Sequence, residues 1–98
     1  MIHKPVSGYK NWYKIVNFLT GDFVYQRERS DGRNSKILIL TRNLKSMRKY
    51  GYKYEVYYAG EFIGGSNKLS GAIRTGNRKY NEIYGETKWY TKQKIHIL

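Results

Sequence analysis

The side chains best equipped for chemistry lie in one short run, "RTGNRKY", from Arg74 to Tyr80. Arg74 and Arg78 carry guanidinium forks, and Lys79 a mobile ammonium. Asn77 has an amide that both donates and accepts, and Tyr80 a ring with a hydroxyl. That set suits phosphates and base edges. Cations neutralise the backbone, while forks and amides orient on what they touch. A second set is Arg42, Lys45, Arg48, Lys49 and Lys53, within a stretch from Arg33 to Lys53 that holds seven basic residues and no acid. On a helix, Arg42, Lys45 and Lys49 fall on the side away from Ile37, Leu40, Leu44 and Met47. A solvated helix face usually mixes signs, because Glu four residues before Lys supports the helix. No such pairing occurs here.

Other chemistries find few residues. The chain has no cysteine, so thiolate and disulfide chemistry are absent. Its two histidines, His3 and His96, stand at opposite ends with no partner at metal-ligand spacing. Seven acids are scattered singly, which gives no reason to expect a general acid and base. "GGSNKLSG" at 64–71 has the glycines of a phosphate loop without its Gly-Lys-Ser/Thr spacing. The expectation is a protein that is not an enzyme and uses no metal or cofactor.

Composition supports an anionic partner. Nineteen Lys and Arg against seven acids give a net charge of +12 over 98 residues. Such an excess attracts polyanions and repels itself on compaction. Lys, Asn, Ile and Tyr have AT-rich codons, which points to an AT-rich genome such as a phage's. Codon bias raises Lys but does not deplete Asp and Glu. The length predicts one domain, 1–98. No apolar run approaches the roughly 20 residues of a membrane span, and Met1–Tyr9 has no apolar signal segment. A soluble, cytoplasmic protein is expected.

The elements that must position these side chains read as ββαββαβ, an α+β domain with a mostly antiparallel sheet. Residues 1–8 read as an irregular arm. "YKNWYKIVNFL" and "FVYQRE", separated by "TGD", read as a hairpin. "SKILILTRNLKSMRKYG" reads as the main helix, capped by Asn34 or Ser35, with "KILIL" as a short strand being the alternative. "YKYEVYYAGEFIGG" reads as a second hairpin turning at Ala59-Gly60. Its Tyr52, Tyr54, Val56 and Tyr58 line one face, and Tyr50, Tyr52, Tyr54 and Tyr58, of one strand parity, serve either as core or as a stacking platform. "SNKLSGAIRTG" reads as a short helix capped by Ser66 or Asn67 and stopped by Gly76. "TKWYTKQKIHIL" reads as a final strand.

"AIRTGNRKY" with Trp89 beyond it resembles the end of the nuclease-associated modular DNA-binding repeats of homing endonucleases. Ala72, Ile73, Thr75, Gly76, Lys79, Tyr80 and Trp89 carry the likeness. "KPVSGYKNWYKIVN" resembles the opening of another such module at Pro5, Gly8-Tyr9, Tyr13 and Asn17. Together they cover about a third of the chain. The Ala-rich helix of the repeat is missing, a Tyr-rich hairpin stands in its place, and no catalytic nuclease motif is present. The resemblance implies DNA binding without cleavage. Two functions are therefore expected. One is a small nucleic-acid-binding protein, for DNA rather than RNA, contacting its ligand through the two basic sets above. The other is a phage accessory protein that inhibits a host nucleic-acid-handling protein, such as a restriction or CRISPR nuclease.

Overall fold

The computed structural model describes residues 2–41 and 50–85. Six strands, β1 (Ile2–Pro5), β2 (Trp12–Val16), β3 (Phe23–Glu28), β4 (Asn34–Leu40), β5 (Tyr54–Tyr58) and β6 (Glu61–Ser66), precede one helix, α1 (Leu69–Tyr84). The strands form one antiparallel meander in which chain order is spatial order. The architecture is α+β, as expected from the sequence, with more strand and fewer helices among the described residues.

Paired strands place directly opposed residues on the same face, so the register defines both faces. One row crosses the whole sheet as Lys4–Lys14–Tyr25–Ile39–Val56–Gly64. A neighbouring row on the same face runs Trp12–Arg27–Ile37–Tyr58. α1 lies over the β4–β6 part of this face. Trp12, Ile37, Ile39 and Val56 meet Ala72, Ile73 and Tyr80 there as the core. The opposite face carries the row His3–Ile15–Val24–Leu40–Glu55–Gly65. Ile15, Leu40 and Glu55 are buried as well.

Two-sided burial explains the largest departure from the sequence reading. "KILIL" is strand β4 and not the start of the main helix, and Asn34 and Ser35 are strand residues and not caps. Ile37 and Ile39 face α1 while Leu40 is buried on the other side. A strand buried on both faces shows a continuous apolar run with no alternation, and Ile37 and Leu40 then match helical spacing by coincidence. The remainder of that expected helix, residues 42–49, and the expected final strand lie outside the described residues.

Three boundaries also change. Residues 2–5 are an edge strand paired with β2 and not an irregular arm. The second helix is longer than expected, because Gly76 does not stop it. Gly76 is buried, and a Cβ there would lie 2.7 Å from the Trp12 ring, so glycine lets the helix seat on the indole. Ser66 and Asn67 do not cap α1. The N-cap is Lys68, with no side-chain cap bond. The Ser66 hydroxyl accepts the Lys68 N–H and the Asn67 side-chain Oδ1 that of Lys53.

Both expected hairpins form. The second closes through Ala59 and Gly60, with φ of 49° and 86°, the pair of positive values that a two-residue turn of this hand requires. Strand β4 carries a bulge, since Arg27 pairs with Ile37 but Glu28 with Asn34. Lys36 takes φ 65° in that bulge, and Ser35 is turned fully inward. The Ser35 hydroxyl donates to the Arg27 carbonyl, and its own carbonyl accepts the Tyr84 hydroxyl at 3.2 Å. No helix among the described residues is long and apolar enough to cross a membrane.

Candidate nucleic-acid interface

α1 sorts the "RTGNRKY" side chains by its 3.6-residue period. Gly76 and Tyr80 turn inward with Ala72 and Ile73, Arg74 and Arg78 are exposed, and Thr75 and Lys79 flank the β5–β6 side. Of the five site residues expected in this run, Asn77 and Tyr80 are thereby internal structure.

Asn77 does not point to solvent as a base-reading amide. Its Oδ1 accepts the Trp12 indole N–H at 2.9 Å and the Arg27 Nε–H at 3.1 Å, joining α1 to β2 and β3. Tyr80 is 8% exposed and lies under the Arg27 guanidinium, 3.9 Å from carbon to ring centroid. Its hydroxyl accepts the Ser30 N–H at 3.3 Å. One turn on, Arg29 covers Tyr84 at 4.8 Å. These guanidinium–ring contacts put two arginines to structural use, Arg29 while also paired with Asp31 at 3.6 Å. Burial pushes the Arg27 guanidinium below its ordinary value, with Tyr80 acting in the opposite direction. Burial likewise pushes the Tyr84 hydroxyl up, reinforced by its bond with Tyr58.

The remaining expected cations separate. Arg78 and Lys79, with Ile63, Thr75 and Glu82, line a shallow depression of about 280 Å³. Lys79 Nζ is 3.5 Å from Glu82 and 5.6 Å from the Tyr58 ring centre, so its charge is partly answered within the chain. Lys53 is exposed just before β5. Arg42, Lys45, Arg48 and Lys49 lie outside the described residues.

The tyrosines do not form one platform. Tyr54 and Tyr58 pack against the core beside Val56. Tyr52, expected to share their face, instead lies against Gly65 on the other side of the sheet. There Tyr50 stacks on Phe62 at 3.9 Å and Tyr57 meets Phe62 edge-on at 5.7 Å. The turn before β5 breaks the two-residue alternation, so parity counted from Tyr54 does not reach Tyr52. Beneath these rings Glu55 is fully buried, accepting the Tyr50 N–H at 2.8 Å and the Tyr57 hydroxyl at 3.0 Å. Burial first, then the Glu55 bond, push Tyr57 up to about 12.

Sequence reasoning did not single out Lys4 and Lys14. The register sets them directly opposite each other on the helix side of the sheet, where Lys4 is exposed and Lys14 half-buried. Their signal was present: Lys14 shares its parity with Trp12 and Val16, a lysine at an otherwise apolar position of a strand.

No family model, no curated protein and no solved structure matches the chain. Of the positions that carry the resemblance described above, Ala72, Ile73, Gly76 and Tyr80 are the buried stripe of α1. Among the described residues, no group of three or more His, Asp or Glu is placed to hold a metal ion.

Proposed function

We propose that this protein binds nucleic acid, with DNA the first ligand to test, through the exposed Lys53, Lys68, Arg74 and Arg78 and without cleaving it. The observation that carries this reading is the pattern of ion pairing. Asp31 is shared by Arg29 and Arg33, and Glu82 is taken by Lys79. Glu55 is buried. Lys53, Lys68, Arg74 and Arg78 are exposed and enter no ion pair among the described residues. Cations that the fold leaves unanswered are available to phosphates, and each phosphate neutralised releases counterions.

A mobility-shift titration at two salt concentrations tests it. With four phosphate contacts, affinity falls about 100-fold between 50 and 200 mM salt. An absence of binding to single- and double-stranded oligonucleotides at the lower salt sinks the proposal.

A second reading has one observation in its favour. Tyr50 and Tyr52 are 54% and 40% exposed beside Phe62, and tyrosines of this kind anchor protein interfaces. The partner would be a host nucleic-acid-handling protein. Capture of a stoichiometric protein from nuclease-treated lysate, lost in Tyr50→Ala, supports this reading. Loss of every partner on nuclease treatment supports the first.

A further inference from the structure

The opposed pair Lys4 and Lys14 extends the nucleic-acid reading and rests on it. Directly opposed residues on antiparallel strands have Cβ atoms about 5 Å apart, and like charges there destabilise the sheet. Neither lysine is in an ion pair among the described residues. Lys4 alone has an ordinary explanation, because charge on an edge strand discourages pairing with another chain. Lys14 lacks that explanation, since β2 is paired on both sides. Beyond Lys14 its row continues Tyr25, Ile39, Val56 and Gly64, so an apolar residue would suit the position. The fold instead holds this cation in place. Lys14 Nζ sits 4.1 Å from the Phe23 ring centre, and Phe23 meets Tyr25 edge-on at 5.7 Å.

We propose that the β1–β3 part of the helix-side face seats the phosphate backbone of nucleic acid, with Lys4 and Lys14 as its paired contacts. A phosphodiester set against both ammonium groups turns their repulsion into attraction. Recognition here is of backbone and not of bases. The ammonium of Lys14 already occupies one face of Phe23, the aromatic ring in direct contact with it. Two ammonium groups meeting phosphate oxygens carry no sequence information of their own.

The test is fluorescence anisotropy on two labelled duplexes of unrelated sequence, about 20 base pairs each, between 50 and 200 mM salt. Lys4→Gln/Lys14→Gln is compared with wild type, with Lys14→Arg and with Lys36→Gln, which alters an exposed lysine on the β4 bulge. Removing two phosphate contacts lowers the slope of log affinity against log salt by about 1.8. Affinity for both duplexes should drop roughly 10-fold at the lower salt, whereas Lys14→Arg and Lys36→Gln keep the wild-type slope. Lys4→Gln alone should melt above wild type at low ionic strength, with the gap closing as salt rises. That readout requires no ligand and confirms that the variant folds. If wild type binds and the double variant keeps its affinity and slope, this site is wrong while the nucleic-acid reading stands. If wild type binds neither duplex nor single strands, both fail. A wild-type preference for one duplex that the double variant loses overturns backbone-only recognition.

Discussion

Asn77 separates a structural role from a reading role within one side chain. Asn77→Ala leaves the Trp12 indole N–H and the Arg27 Nε–H without their shared acceptor. Trp12 is 1% exposed, so water cannot readily replace the lost bond. A buried donor left unpaired costs about 1–3 kcal/mol, and more when it is charged, while the helix gains a few tenths from alanine. The net loss is about 2–4 kcal/mol. With a urea m-value of about 1–3 kcal/mol/M for a small domain, the midpoint falls by between about 0.7 and 4 M at constant m. Asn77→Asp keeps an acceptor in the same place and gives Arg27 a charge partner, so its midpoint should equal or exceed that of wild type. Urea unfolding followed by tryptophan fluorescence and far-UV circular dichroism measures both variants. A cycle with Trp12→Phe should return a coupling of about 1 kcal/mol. An Asn77→Ala midpoint equal to wild type refutes the hydrogen-bond assignment. An Asn77→Asp variant of full stability that has lost nucleic-acid binding would restore the side chain to the ligand surface.

Further predictions concern packing, the turn and pH. Gly76→Ala should destabilise by about 1–2 kcal/mol in thermal melts, although the same change in an open helix gains about 1 kcal/mol, because the new Cβ meets the buried Trp12 ring at 2.7 Å. Ala59→Asn should raise the melting temperature, with a gain of about 0.5–1 kcal/mol, since asparagine tolerates the positive φ of 49° better than alanine. Tyr57 has its hydroxyl raised from 10.0 to about 12 in the folded state. Its neutral form therefore contributes stability that is complete below pH 10 and lost as pH rises toward 12. Melts across that window should fall less steeply in Tyr57→Phe, and an unchanged slope would remove Tyr57 from the alkaline transition.

The local signals in the sequence that held were those set by turn chemistry and by alternation on one face. Thr-Gly-Asp and Ala-Gly marked the two hairpins, and both strands of each were legible around them. The run from Ser35 to Leu40 was not, because periodicity cannot distinguish a strand covered on both sides from a buried helix segment. The same limit misread Gly76. A glycine within a helical pattern reads as a stop when the ring that needs the space, Trp12, is 64 residues away in the chain. β1 was illegible because an edge strand of four exposed residues carries no apolar alternation, and only its partner Tyr13–Val16 segment identifies it.

Composition alone determined that this chain presents excess positive charge and holds no thiol, and both facts survive any folding. Which cations remain available was decided by the tertiary structure. Arg27 and Arg29 are spent on Tyr80 and Tyr84, Lys79 is partly answered by Glu82, and Asn77 is turned inward. Lys4 and Lys14, ten residues apart in sequence, become neighbours through strand pairing. The physical reason is that charge is a property of each residue, whereas its partners are set by register and by the helix face, which long-range packing fixes.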